Sequence, residues 1–487
     1  MKLKQNFIYQ FSYQILAIIV PLITTPYVSR VLHPEGIGDY AYTFTVVYYF
    51  FIACMLGFDT HGQRLVAQAL GDRERRSRAF SEVATLQAGV TLLGSVVYIL
   101  YTVLSAERLR LITAVQFFYL ASAAINVIWL FEGVEEFRSV ALRNIAVQIV
   151  SCVLIFTLVK EETDLWKYTA IMAGSVFAGN LLFLATAGRH VDYRLPRFRN
   201  TIAHLKPALL LFVPQIGITV FMQMDKLMLG WWSTSRQLGY YQNAEKVVSI
   251  PVALILTVGT VIMPRIITLR AEKRMEEVRK YNSFAFDLLM VIGIGCTFGL
   301  TGIAHVFTPW YFGEEFRESA DILSILSAQV AFMTWENVLQ KQYLVPFEKD
   351  AVVIRAMSFA AGINVVLNTL LIPGYGSVGA IIGSLVAHLF ICCYEGVILR
   401  RELPIRRYLG VTLALGAAGA VMCAAVRMLS GCLTAVNPFF QLVILIAAGG
   451  LLYLAMAAAI LRWMHSDVMG SLGETVKRIK GRIGVKK

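Results

Sequence analysis

Two adjacent ionisable residues, Asp225 and Lys226, interrupt the mostly apolar stretch between Pro207 and Trp232. A Lys or Asp at the centre of a membrane helix costs about 2.5–3.5 kcal/mol on insertion scales, so such residues face a cavity or a partner. Lys226 has the chemistry to hold an anion; the competing reading is that it snorkels to the outer interface. Arg30 takes a comparable place near the end of the first apolar stretch, where snorkelling competes more strongly. Polar residues recur on one helical face of each of these two stretches. Gln10, Gln14, Ala17, Pro21, Thr24 and Val28 follow three- and four-residue steps in the first, and Gln215, Thr219, Met222 and Lys226 do so in the second. Pro21 and Pro214 each free a backbone carbonyl. The pattern reads as the lining of a wet cavity, with hydrogen bonding between neighbouring helices as the alternative. Carboxylates in or near other apolar stretches, Glu132, Asp287 and Glu336 together with Asp225, are candidates to carry a coupling proton. The sequence does not choose among them. Tyr40 and Tyr241 belong to tyrosine clusters that suit either an interfacial aromatic belt or a sugar-facing platform. The seven cysteines and seven histidines show no metal-binding or redox spacing, so no metal and no cofactor is expected.

Such residues need apolar elements to hold them. Of 487 residues, 57% are apolar and only 15% charged, and mean hydropathy is +0.65. A soluble domain carries about 25% charged residues, so a solvated globular chain is excluded. A span takes roughly 20 apolar residues, and the sequence predicts about fourteen transmembrane helices in an all-α polytopic membrane protein. Breaks are expected at Gly71-Asp72-Arg73, Arg194-Leu195-Pro196 and Pro373-Gly374-Tyr375. Interruptions by Gln10, Ser12, Gln14 and Pro21 argue against a cleavable leader.

The net charge of +13 follows from topology. With both termini inside, 34 of the 44 Lys and Arg fall on inside segments and 9 on outside loops, the asymmetry expected of an N-in, C-in protein. Nucleic-acid binding has no other support. No loop is long enough for an extramembrane catalytic domain, so function resides in the bundle.

The chain also repeats itself. Gly38-Asp39-Tyr40 matches Gly239-Tyr240-Tyr241, and the pairs Arg30/Lys226, Gly57/Gly259 and Arg64/Arg265 follow in order. Glu136 and Arg143 match Glu348 and Arg355, and Gly174-Ser175-Val176-Phe177-Ala178 matches Gly383-Ser384-Leu385-Val386-Ala387. Two six-helix pseudo-repeat lobes, residues 1–190 and 206–400, are expected around an axis along the membrane normal. Residues 191–205 link them, 401–463 form a terminal helix pair, and 464–487 form a basic cytoplasmic tail.

Several segments resemble bacterial polysaccharide-repeat-unit flippases of the multidrug/oligosaccharidyl-lipid/polysaccharide exporter superfamily. They are Pro26-Tyr27-Val28-Ser29-Arg30-Val31-Leu32, Gly36-Ile37-Gly38-Asp39-Tyr40, Gly57-Phe58-Asp59-Thr60-His61-Gly62-Gln63-Arg64, Phe131-Glu132-Gly133-Val134-Glu135-Glu136-Phe137, Asp225-Lys226-Leu227-Met228-Leu229-Gly230 and Met263-Pro264-Arg265. The resemblance implies movement of an undecaprenyl-pyrophosphate-linked oligosaccharide from the cytoplasmic to the outer leaflet of the bacterial inner membrane, by alternating access around a cationic cavity. It implies Arg30 and Lys226 at the pyrophosphate, with Arg64, Arg143, Arg265 and Arg355 as contacts at the inner mouth. It implies the lipid-linked oligosaccharide and the bilayer as partners, with a polymerase and glycosyltransferases of the same pathway alongside. It leaves the coupling ion, proton or sodium, open. The alternatives are a cation-coupled small-molecule antiporter of the related multidrug branch, which wants a smaller and more acidic cavity, and a membrane polymerase or ligase, which wants a long outer loop.

Overall fold

A computed structural model describes residues 2–464, the side chains of residues 2–15, 18, 214 and 215 excepted. Gln10, Gln14, Gln215 and the basic tail from residue 465 onward therefore lie outside the described side chains. Among the described residues the protein is all-helical and divides into two compact units, with the boundary between Gly239 and Tyr240. Eleven helical stretches are long and apolar enough to cross a membrane, or twelve with the bent stretch from Phe198 to Trp232 taken as one. That is fewer than the fourteen expected; α1 and α14, each broken at one non-helical residue, are each counted once.

In the first unit the order is α1 (Lys2–Met55), α2 (Phe58–Gln68), α3 (Arg73–Leu104), α4 (Glu107–Ala124), α5 (Ile128–Gly133), α6 (Phe137–Leu158), α7 (Leu165–Thr186), α8 (Phe198–Ala203) and α9 (Leu205–Trp232). The 54 residues of α1 would extend about 80 Å as one rod, far beyond the ~30 Å hydrocarbon core. The rod is broken at His33, which takes φ 56° and ψ 173°. Pro34 follows, and a proline keeps its predecessor out of the α region. The turn before α3 falls at the expected break, and the Asp72 carboxylate accepts from the Arg75 N–H to cap the new helix. The second expected break lies in the non-helical segment before α8.

Contacts sort the turns of this unit onto two ends. At one, Arg108 donates to Asp39 at 2.7 Å and to Ser235 at 2.8 Å, Arg236 meets Glu35 at 3.6 Å, and Tyr27 donates to the Val159 carbonyl at 2.7 Å. At the other, Arg73 pairs with Asp192 at 2.8 Å, Arg76 donates to the His190 carbonyl, His190 meets Glu136, and Arg194 meets Glu74. Hydrogen bonding to Arg73 holds the Asp192 carboxyl below its ordinary range. Turns alternate between the two ends along the chain, as spans crossing one layer in succession require. Phe58, Phe80, Trp129, Phe131 and Phe183 form a core toward the Asp192 end; Val47, Tyr98 and Leu120 form another.

The second unit holds most of α10 (Ser235–Ala271), then α11 (Met275–Phe312), α12 (Ser319–Leu326), α13 (Ala328–Leu339), α14 (Asp350–Leu399), α15 (Ile405–Cys432) and α16 (Pro438–Trp463). Helix α11 is central and packs on α12, α13, α15 and α16. The 50-residue α14 breaks at Gly376 (φ 53°, ψ −130°), beside the expected Pro373-Gly374-Tyr375 break. Here too contacts mark an end. Lys349 donates to Glu402 at 2.5 Å, Tyr343 donates to Glu402 at 2.7 Å, and Arg270 meets Glu348. Partial burial pushes the Glu402 carboxyl up, but the bonds from Lys349 and Tyr343 outweigh it and leave it below its ordinary range.

Candidate functional site

Helix α9 carries Asp225 and Lys226, and it packs on α1 and α2 within the first unit. Two glycines set its approach. Near one end Gly230 lies so close to Tyr42 that a Cβ there would stand 2.1 Å from the ring; near the other, Gly57 (φ 77°) lies against Ala208 and Leu211. The Met224 sulfur accepts from the Tyr49 hydroxyl between these contacts, at 4.0 Å. The second half of α1 and helix α9 therefore run antiparallel, over about 20 Å of α1. Lys226 is only 8% exposed and Asp225 only 6%. Protein rather than lipid covers Lys226, so its ammonium does not snorkel along a lipid-facing side. Arg30 differs: it is exposed, while its neighbours Val28, Ser29 and Leu32 are buried.

The Asp39 end of this unit is closed by a reciprocal contact. A Cβ on Gly38 would lie 1.8 Å from the Ser235 carbonyl oxygen, and a Cβ on Gly239 would lie 2.0 Å from that of Pro34. Pro34 precedes Gly38 by four residues, as Ser235 precedes Gly239. Each repeat thus offers its glycine to the residue four before the other's glycine, which is the contact pattern of a local two-fold crossing. Glu35 and Arg236, one step on in each repeat, pair with one another. Asp39 is buried, accepts from Arg108, and accepts from the Ser235 hydroxyl at 2.5 Å. A cavity of about 530 Å³ lined by Glu35, Asp39, Tyr42, Arg108 and Arg236 adjoins the crossing.

The remaining predicted residues are dispersed. Thr24 is buried, but its hydroxyl turns back to the Val20 carbonyl at 3.0 Å, a bond within its own helix. Thr219 is buried. Tyr40 stacks with Phe44 and packs edge-on to Tyr168 at 4.8 Å, inside an aromatic seam that continues to Tyr119. Tyr241 is buried in the second unit. Arg64, Arg265 and Arg355 are exposed; Arg265 lies over the Tyr281 ring at 6.0 Å, and Arg355 bonds the Ala351 carbonyl. Arg143 is different in kind. It donates to Asn180 at 3.2 Å and lies 4.1 Å over the Phe183 ring, fastening α6 to α7. Among the carboxylates, Glu132 is half-buried near Asp59. Asp287 is fully buried and bridges to Arg407 through bonds of 2.6 and 3.1 Å. Glu336 meets His388 at 2.8 Å.

Sequence reading missed three groupings. Asp39 and Arg108 face one another across 69 residues. His61 Nε2 lies 2.9 Å from His204 Nδ1, and His204 Nε2 lies 3.0 Å from Glu82, which also accepts from Asn200. His388 completes the third with Glu336. The histidines carry no local spacing signal because their partners come from distant helices. The clue at hand was each one's place within or beside an apolar stretch. Among the described residues no group of three or more His, Cys, Asp or Glu is disposed to hold a metal ion.

Comparison with known proteins then places the chain. Residues 3–270 match the family model described as "Polysaccharide biosynthesis protein". A putative O-antigen transporter of Shigella dysenteriae is 21% identical, over 80% of this chain and 98% of that one. Among solved structures, the fold is similar to the lipid II flippase MurJ in an inward closed conformation, with TM-score 0.67 and 15% identity, covering 94% of this chain and 99% of that one. It is also similar to an inward-facing multidrug resistance MATE family transporter, with TM-score 0.58 and 16% identity over 78% and 94% of the two chains.

Proposed function

We infer the function from one premise: this chain belongs to the polysaccharide biosynthesis protein family. It is a multi-pass membrane protein and a transporter rather than an enzyme, and its cargo is a lipid-linked oligosaccharide, carried from the cytoplasmic to the outer leaflet of a bacterial inner membrane. The relative named as an O-antigen transporter, aligned over nearly its whole length, supports that cargo class. The structural observation that carries the reading is Lys226, a cation at span depth enclosed by protein. An enclosed ammonium suits the anionic linkage between lipid and glycan, and undecaprenyl pyrophosphate is the linkage proposed. The exposed Arg30 is assigned to the same linkage, and Arg64, Arg265 and Arg355 to its approach from the inner side. Arg143 is assigned mainly to holding α6 on α7.

Fourteen spans remain the proposed count. The 54-residue α1 and the 50-residue α14 each have twice a span's length and a non-helical residue between their halves. The proposed orientation is N-in and C-in. Arg73, Arg75, Arg76, Arg78, Arg189 and Arg194 all belong to the Asp192 end, which the positive-inside asymmetry assigns to the cytoplasm. The Asp39 end is then the outer one, and its glycine crossing is the contact that alternating access must open. The duplicated halves would alternate as lobes, with residues 401–463 as a terminal pair. A polymerase and glycosyltransferases would act before and after this step.

Expression in a bacterial strain lacking its own repeat-unit flippase tests the proposal. The chain should restore surface polysaccharide. Lys226→Met should lower that output about tenfold at equal protein level, the loss expected when one buried charge–anion contact of about 1.5–3 kcal/mol is removed. A silent Lys226→Met would remove Lys226 from the substrate path. Drug resistance without polysaccharide would favour the antiporter reading.

A further inference from the structure

Glu336 and His388 form a titratable pair in the second unit, away from Lys226 in the sequence and on different helices. Glu336 sits on α13 and His388 on the second half of α14. His388 Nδ1 lies 2.8 Å from Glu336 Oε1, and His388 Nε2 lies 3.0 Å from the Gln329 amide nitrogen. Glu336 is 8% exposed and His388 3%. With a neutral imidazole, these contacts are met by one proton arrangement. Nδ1–H donates to an ionised Glu336 and Nε2 accepts from the Gln329 amide. In that state the pair carries one negative charge. One added proton cancels it, on the carboxylate or on Nε2 with a flip of the Gln329 amide.

Three further observations mark the surroundings as a place for proton movement. First, α13 does not end in an ordinary turn but runs into a π-helical segment, Gln340–Leu344, a feature that recurs at functional sites. Second, several buried polar atoms nearby have no protein partner among the described residues: both amide atoms of Asn337, both of Gln342, Trp335 Nε1 and Glu395 Oε2. Buried polar groups are normally satisfied, so this stretch calls for water or a proton. Third, His388, Cys392 and Glu395 lie on one face of α14 by steps of four and three. Glu395 is fully buried, accepts from Gln340 at 2.8 Å, and stands about 10 Å along the helix from His388. Beyond it lie Tyr343, Glu402 and Lys349, at the end with the basic turns.

The other ionisable groups around the pair are few. On α14 they are Cys392 and Glu395, both within electrostatic reach of Glu336. On α11 and α15, Asp287 and Arg407 neutralise one another behind Trp335 and Tyr408. Helix α10 meets α13 where Gly259 abuts Asn337, and residues 255–263 carry no charge. On α12 Asp321 is exposed and faces His305. No metal-binding grouping is present among the described residues.

We propose that Glu336 and His388 bind a proton between them, exchanged with the Glu402 end through Glu395, and that this proton drives transport. The last clause rests on the transport reading above; the binding site does not. Its ligand is a proton rather than sodium, because one of its two principal groups is an imidazole held by hydrogen bonds at both nitrogens.

The full chain, purified in detergent with 15N-labelled histidine, tests the site. His388 is identified by loss of its signal in His388→Gln. Its imidazole shifts should report the Nδ1–H form at alkaline pH and change on acidification. Glu336→Gln should abolish that Nδ1–H preference, while added sodium leaves the wild-type spectrum unchanged. Invariance with pH, or a response to sodium at fixed pH, overturns the proton site. In the flippase-deficient strain, Glu336→Gln and His388→Gln should each cut polysaccharide output at least about tenfold at equal protein level, and His305→Gln should not. Full output from both variants overturns the driving role. If the wild-type chain itself restores no polysaccharide, the transport reading fails, and the histidine spectra still decide the proton site.

Discussion

Gly239→Leu should abolish transport, by about a hundredfold or more, while the protein still reaches the membrane. A Cβ at this position would overlap the Pro34 carbonyl carbon and oxygen, at 2.8 and 2.0 Å. The obstacle is backbone, so no rotamer relieves it. Overpacking typically costs about 1–3 kcal/mol and sometimes more, and a factor of about a hundred corresponds to about 2.7 kcal/mol. The same reasoning applies to Gly38→Leu, whose Cβ meets the Ser235 carbonyl. The prediction separates a gate from a general intolerance of bulk. A Cβ added at Gly71 or Gly188 would meet nothing within 4 Å, so leucine at either should leave output unchanged. Surface polysaccharide normalised to membrane-localised protein is the measurement. Normal output from both Gly38→Leu and Gly239→Leu would mean that the crossing plays no part in transport.

Arg407→Leu is expected to destabilise the second unit by about 3–5 kcal/mol, the cost of leaving a buried charge without its ionic partner. Asp287 is 0% exposed, and Arg407 donates to both of its carboxylate oxygens, at 2.6 and 3.1 Å. Around them Phe286 stacks on Tyr408 at 4.0 Å, with Trp335 edge-on to Phe286, and the half-buried Arg407 covers the carboxylate on its open side. Replacing both partners, as Asp287→Leu with Arg407→Met, should recover most of the loss, since a buried ion pair is often exchangeable for apolar residues of similar size. Thermal unfolding in detergent reads the difference. A stable single mutant would show that Asp287 is neutralised by other means.

That pair also marks where sequence reasoning stops. Asp287 was legible as an intramembrane carboxylate, and so stood among the candidates for a coupling proton. Its partner lies 120 residues away on another helix, and only packing reveals that the carboxylate is already committed to Arg407. Glu336 was equally legible, and packing instead gives it a histidine. The helical class and many breaks were readable because hydropathy and Pro/Gly punctuation are local signals. The break at His33-Pro34 falls between the first two expected spans, where Arg30, Pro34, Glu35 and Asp39 interrupt the apolar stretch. The repeat pairing of Gly38 with Gly239 was readable as a match of residues, but its meaning, a reciprocal backbone contact, emerges only from the folded chain. Tyr40 could be placed at an interface but not inside an aromatic seam with Phe44 and Tyr168.

Lys226 remains the residue on which the transport reading depends most. The most direct measurement is movement of a lipid-linked oligosaccharide across vesicles containing only the full-length chain and phospholipid. The outward-exposed glycan is removed with an impermeant glycosidase. Wild-type protein should render the protected inner pool accessible at a rate that Lys226→Met lowers about tenfold and Gly239→Leu nearly eliminates. An inner pool that stays protected in the presence of correctly folded wild-type protein, under an imposed proton gradient of either sign, would contradict this mechanism.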